Sequence, residues 1–251
     1  MKKQKPSNWT AVDIETAPDM ERAANQFEPL PEFDPAKVAY GNTKDPGKRA
    51  ILLEEKRDNH AQASQDHAIN FLKRAALSPA TGRIVAIGMR HQFSDEVEIL
   101  TAENTESEAD LLEQFAAAIL ENNFSFTLKN WSGGNGKGNF DANFVFRRAL
   151  ALKVNPVHFE GGFDDLASRF MKFADYNSYL KLTNAARELG IEPTYSGPVR
   201  GEFFHRFLAG TAGEAEGNSF MEPAAQRDSA IEYLTDDVNL TWEIATRMHG
   251  V

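Results

Sequence analysis

The chain has 251 residues, which fits one sizeable domain or two small ones, and a chain of this length buries roughly 70–75% of its unfolded surface without covalent staples. It has no cysteine, so disulfides, zinc–thiolate sites and thiol nucleophiles are excluded. Its 27 Lys+Arg against 37 Asp+Glu give a net charge of −10, which disfavours nucleic-acid binding through a broad basic surface.

In chain order, Asn8–Val12 alternates like a half-buried strand and leads into Asp13-Ile14-Glu15-Thr16. Residues 17–80 read as an insertion. It opens with Pro18, Pro29, Pro31 and Pro35, turns charged and helix-prone from Lys48 to Ala76, and ends at Pro79 and Gly82. Within it, Ile51, Leu52 and Glu55, then Ala68, Phe71, Leu72 and Ala75, predict amphipathic helices. Arg83–Met89 is a predicted buried strand, with Val97–Leu100 as a hairpin-like second strand. Ser107 is the predicted cap of a helix through about Glu121, with Leu111, Phe115 and Ile119 on one face. Phe124–Leu128 reads as a strand and Asn143–Leu152 as a helix. Leu166–Phe173 and Thr183–Leu189 are predicted helices, the second stopped by Gly190. The last helix runs from Pro223 to about Met248. Between them, Gly210–Asn218 reads as a mobile loop bordering a site. This order predicts an α/β mixed sheet with helices on both faces, one domain over 1–251 with 17–80 inserted between the first and second core strands.

Two carboxylates two residues apart on a strand point to the same face. Asp13 and Glu15 therefore repel each other unless a cation lies between them. A divalent metal held by carboxylates points in turn to a phosphate substrate. Asp141 follows the glycine cluster 133–138 and Asn139-Phe140, where a strand has ended and a helix is about to begin; taken alone it reads as a helix cap. Tyr233 and Asp237 stand at i and i+4 and share a helix face. They flank an apolar stripe of Ile231, Leu234, Val238, Thr241 and Ala245, and taken alone they read as a surface acid beside a partly buried tyrosine. Asp236 reads as a solvated neighbour.

Asp13 and Glu15, then Asp141, then Tyr233 and Asp237 form the ordered pattern D-x-E, F-D, Y-x-x-x-D. In this the chain resembles the DEDD superfamily of 3′→5′ exonucleases, in its tyrosine-bearing subgroup. The likeness is greatest to the proofreading exonuclease domain of family B DNA polymerases, in its stand-alone bacterial and phage relatives. Ala76–Gly88 and Leu182–Ile191 carry the same likeness, and Asn42–Lys48 resembles the insertion of those relatives.

The resemblance implies a ribonuclease H-like five-stranded mixed sheet with a helical insertion after the first strand. It implies that Asp13, Glu15, Asp141 and Asp237 hold two Mg²⁺ or Mn²⁺ ions roughly 3.5–4 Å apart. Tyr233 would orient the attacking water with its phenol neutral. Substrate contacts are implied for Thr16, Phe140 and either Asn135 or Asn139. The choice between the asparagines stays open because the family run is G-x-N-x-x-x-F-D. Here Gly133, Gly134, Gly136 and Gly138 enrich the turn, and Asn135 stands six residues before Asp141 rather than five.

The implied activity is hydrolysis of single-stranded DNA from its 3′ end in the cytoplasm of a bacterial or phage-infected cell. The acidic net charge predicts a weak unassisted grip and delivery of substrate by replication or repair proteins. Two alternatives stand beside it: the same chemistry on RNA, and a degenerate nuclease fold that binds nucleic acid with little catalysis.

Other signals carry less. The glycine run lacks the Gly-Lys-Ser/Thr ending of a phosphate loop, since Lys137 is followed by Gly138. The six histidines are dispersed and suggest no zinc site. Arg147 and Arg148 read either as backbone contacts or as a solvated helix face. Phe140, Phe144 and Phe203 read as core or as stacking platforms for terminal bases. No apolar run approaches the roughly 20 residues of a membrane span. The charged start Met1–Pro6 lacks a signal peptide's apolar core.

Overall fold

The computed structural model describes residues 8–121, 127–132, 139–155, 162–172, 180–218 and 220–249. The chain divides into two compact units: Pro18–Gly82, and the remainder up to Ala17 and from Arg83 onward. The glycine cluster and Asn135, singled out from the sequence, lie outside the described residues, as do residues 124–126 of the expected fourth strand.

The larger unit is built on a five-stranded mixed sheet of order β3-β2-β1-β4-β5. Its strands are β1 (Trp9–Pro18), β2 (Gly82–His91), β3 (Glu98–Thr101), β4 (Thr127–Asn130) and β5 (Phe163–Asp165). β2 and β3 pair antiparallel, with Ile87 opposite Leu100. β1 and β4 run parallel, as do β4 and β5. β5 was not expected, because Phe163-Asp164-Asp165 has little strand character. It forms because Asp164 stands opposite Lys129 in register and pairs with its ammonium, a cross-strand charge pair that offsets poor propensity.

Alternation along β1 sends Val12 and Ile14 to one core cluster and Trp9, Ala11 and Ala17 to another. The first cluster is covered by α3 (Thr105–Glu121) and α4 (Phe140–Leu152), through Leu111, Leu112, Phe115, Phe144 and Val145. The second is covered by α5 (Leu166–Met171), α6 (Leu182–Glu188), α7 (Phe204–Leu208) and α8 (Pro223–His249). On α8 the stripe Leu234, Val238, Thr241 and Ala245 is fully buried. It lies directly on β2 at Gly88, where a Cβ would come within 2.6 Å of Val238 Cγ2. Any larger residue there would lift the helix that carries Tyr233 and Asp237.

Two helix starts differ from expectation. α3 begins at Thr105, and its first turn is closed by Asn104, whose Oδ1 accepts from the Ser107 amide at 2.9 Å while Ser107 Oγ accepts from the Asn104 amide at 3.1 Å. Ser107 is thus the reciprocal partner of the cap, not the cap itself. α4 begins three residues earlier than predicted because Asn139 caps it, accepting from the Ala142 amide at 3.1 Å.

Arg148 is a larger correction. It is fully buried, with Nε and Nη2 donating to both carboxylate oxygens of the equally buried Glu108 at 2.8 and 2.5 Å. Glu108 also accepts from the Ile84 amide at 2.8 Å, so this pair ties α3 and α4 to β2. Arg147 is exposed as expected, whereas Phe144 is core. The stretch Gly210–Asn218 contains a short 3₁₀ turn at Glu214–Glu216, and Asn218 donates to Ala212 O at 2.9 Å.

The smaller unit holds α1 (Met20–Ala24) and one 31-residue helix, α2 (Pro46–Ala76), in place of several helices. Asp45 caps α2 and Pro46 occupies its first turn, the favoured arrangement for both residues. The segment before it lies along one face: Phe27 packs on Phe71 and His67, and Phe33 on His60. His60 and His67 donate to the carbonyls of Pro31 and Glu28 at 2.9 Å. Ile51, expected on the apolar face, is 71% exposed because that segment meets α2 further along, around 60–71. Among the described residues, no helix is long and apolar enough to cross a membrane.

Candidate metal centre

Asp13 and Glu15 lie on the middle strand, β1, on the face that α8 covers. Asp237 comes to them from α8. One carboxylate oxygen from each of Asp13, Glu15 and Asp237 lies within 4.8 Å of the others. Metal–oxygen bonds of roughly 2.0–2.6 Å place the ligand oxygens of one hard cation up to roughly 4–5 Å apart, so this trio fits such an ion. Glu15 is buried, whereas Asp13 and Asp237 are half-buried. No described lysine or arginine forms an ion pair with any of the three.

Asp141 stands outside that trio yet near it. Because Asn139 takes the cap of α4, Asp141 is in the first turn with its carboxylate left over for other use. Asn130, fully buried at the end of β4, donates to Asp141 Oδ2 at 2.6 Å and to Asn139 Oδ1 at 2.8 Å, while Asn139 returns a bond to Asn130 Oδ1. The side chain of Asn139 is therefore engaged in cap and amide pair together. Phe140 is half-buried against Phe144, and Thr16 is buried next to Glu15 on β1.

The carboxyls resist ionisation. Burial pushes Asp13 and Glu15 well above the ordinary carboxylate range, and charge on Asp237 and Asp141 pushes them further. Asp141 is pushed up to about 7 by burial, against the pull of the Asn130 hydrogen bond, with Asp165 nearby adding to the rise. Asp237 rises to about 7, again from burial, opposed by a hydrogen bond from Tyr233. Asp13 and Glu15 are thus harder to ionise because of the acids beside them, as expected where carboxylates gather without a compensating positive charge.

Tyr233 donates to Asp237, one helical turn away. Its phenol is driven far above its usual range by burial and then by Asp237, Glu15 and Asp13. The ring is held between Tyr195, edge-on at 5.5 Å between centroids, and Phe204 at 6.2 Å. Tyr195 is itself fixed, its Oη bonding Ser229 Oγ at 2.8 Å and accepting from the Val199 amide at 2.9 Å. Asp236, expected to be solvated, is buried: it accepts from the amide and hydroxyl of Thr194 and ties the segment Thr194–Val199, which carries Tyr195 as a strap against Tyr233, to α8. Adjacent acids on a helix point about 100° apart, so one serves the strap and the other faces β1. Gly201 completes the surroundings; a Cβ there would lie 3.6 Å from Tyr233 Oη and 3.9 Å from both Glu15 carboxylate oxygens.

Asn130, Tyr195 and Gly201 were not singled out from the sequence. Asn130 had one usable signal, a polar side chain closing an otherwise buried strand. No family model, curated protein or solved structure matches this chain.

Proposed function

We propose that this protein is a metal-dependent 3′→5′ exonuclease that hydrolyses phosphodiester bonds of single-stranded DNA, with a ribonuclease H-like fold of the DEDD type. The observation that carries the reading is the meeting of Asp13, Glu15 and Asp237 within 4.8 Å, with the Tyr233 phenol hydrogen-bonded to Asp237. The sheet order and the placement of Asp141 beside the trio support it.

Asp13, Glu15, Asp141 and Asp237 would hold two divalent ions, Mg²⁺ or Mn²⁺. Such ions supply Lewis acidity for water activation and positive charge that offsets the charge building on the phosphate. The chain's own groups do the rest. Burial and the surrounding acids hold the Tyr233 phenol protonated, so it would orient a water by hydrogen bonding instead of acting as the base; its single O–H goes to Asp237 and would turn to the water once a metal ion takes that carboxylate. Clamping between Tyr195 and Phe204 fixes the direction of that donor. The missing side chain at Gly201 leaves room beside Tyr233 and Glu15 for a reacting group.

The deciding assay is digestion of matched DNA and RNA oligonucleotides, labelled at either end, with Mg²⁺ or Mn²⁺. Stepwise loss from the 3′ end of DNA is expected, and Asp13→Ala should slow it by at least about a hundredfold. A loss below about tenfold would count against the reading, since removing a metal ligand forfeits several kcal/mol of transition-state stabilisation. Faster loss from RNA would move the substrate to RNA with the same chemistry.

A further inference from the structure

A separate cavity of about 280 Å³ opens between β2, β3, α7 and the second turn of α8. That volume is at the small end of ligand pockets, which run to roughly 300–1,000 Å³. Its buried lining is apolar, from Val85, Ala102 and Leu208. Its polar lining is cationic: Arg83 and Arg227 face it, with Glu103 as the one acid.

Two guanidiniums border one small cavity in a chain of net charge −10. Arg83 is moreover fixed in place, Nη1 donating to Ala102 O at 3.3 Å and Nη2 to Glu103 O at 2.9 Å. A cation tethered by backbone carbonyls is placed before any ligand arrives. His205 lines the same cavity with its ring, whose Nδ1 is shielded from solvent and has no hydrogen-bond partner among the described residues. Burial, then Arg206 and Arg83, push the ring's pKa down to about 4 against the opposing pull of Glu216, so the ring is neutral at pH 7.

The cavity also neighbours the carboxylate centre along the chain. Gly201, beside Glu15 and Tyr233, and His205 lie in one continuous helical stretch, Gly201–Leu208. Four residues advance about 6 Å along such a helix. We propose that this cavity is a phosphate subsite, holding a backbone phosphate of the strand whose scissile bond lies at Asp13, Glu15 and Asp237. The identity of the strand rests on the nuclease reading, whereas the phosphate chemistry rests on the cavity alone.

Two measurements on the full chain test it. In the first, the His205 ring resonances are followed by NMR as inorganic phosphate is added without metal. Millimolar phosphate should move them, and Arg227→Gln, an exposed position, should demand about fivefold more phosphate, the effect of one lost charge-assisted contact. In the second, single-stranded oligonucleotide hydrolysis with Mn²⁺ is measured for the same variant, whose KM should rise more than its kcat falls. A His205 ring that ignores phosphate overturns the subsite even in an active nuclease. Phosphate binding unaffected by Arg227→Gln overturns it as well. Phosphate binding at His205 in a protein that hydrolyses no oligonucleotide overturns the assignment to a substrate strand, together with the nuclease reading.

Discussion

Two clusters of charge are withdrawn from water within the same unit, and they are built on opposite principles. Glu108 and Arg148 are fully buried and satisfy each other through two hydrogen bonds, with the Ile84 amide as a third partner for the acid. Asp13, Glu15 and Asp237 are brought together, with Asp141 near them and no described Lys or Arg paired with the trio, and the acids around Asp13 and Glu15 raise both. The first arrangement spends charge on holding α3, α4 and β2 in register. The second holds charge in a state that folding alone would not select, because mutual repulsion works against the closed structure. A buried pair complete within the chain is architecture. A gathered set of carboxylates without a described Lys or Arg partner is what the proposed metal reading would complete.

The sharpest way to break that comparison is to remove one half of the complete pair. Arg148→Met leaves Glu108 buried without its partner and should cost about 3–5 kcal/mol of stability, read from urea denaturation. A loss below about 1 kcal/mol would mean that the pair is not structural after all. The matching change in the incomplete cluster has the opposite sign. Asp13→Asn removes one of the repelling charges and should stabilise the metal-free protein by about 1–2 kcal/mol while removing its response to Mn²⁺. Wild-type protein should gain melting temperature with Mn²⁺; a melt indifferent to the ion would revive the reading as a binding module without catalysis.

Acidity sharpens the contrast further. The cluster's carboxyls titrate above their unfolded value of roughly 4. Between that value and about 7 the folded protein binds more protons than the unfolded chain. Stability of the metal-free protein must then fall as pH rises through this window. Melting should occur several degrees higher near pH 5 than near pH 8, and saturating Mn²⁺ should flatten the slope by taking the place of the protons. Asp164 runs the other way. Burial raises its pKa, but Lys129 and Arg169 more than offset that and hold the carboxyl below its usual range. Its contribution is present above roughly 4 and is lost only as pH falls below that, outside the window of the cluster.

The parts of the molecule legible from its residues are those in which pattern and packing agree. The β2 strand, α3, α4, α6 and α8 were each expected within a few residues, because apolar periodicity and the covered faces coincide. The stripe on α8 also placed Tyr233 and Asp237 on the correct flank, since the period of a helix fixes which residues share a side. What could not be read depends on partners distant in sequence. β5 is a strand only because Lys129 faces Asp164. Arg148 looks like a surface residue until Glu108, 40 positions earlier, is set against it. Spacing from Tyr233 singled out Asp237 over Asp236, but the burial of Asp236 could not be read without Thr194, 42 positions earlier. The role of Asn139 as a cap required knowing that Asn130 ends β4 and pairs with it.

The smallest expected effect concerns the strap over Tyr233. Tyr195→Phe keeps the ring that packs edge-on against Tyr233 but deletes the hydroxyl that bonds Ser229 and accepts from the Val199 amide. Losing both bonds should cost about 1 kcal/mol of stability and leave the strap looser over α8. If Tyr233 orients a water, a looser clamp should lower kcat about two- to fivefold with little change in KM, because orientation counts in the transition state more than in the bound substrate. Tyr195→Leu, which also removes the aromatic edge, should lower kcat further along the same line. Equal rises in KM for both variants would place Tyr195 in substrate binding instead of in holding the phenol.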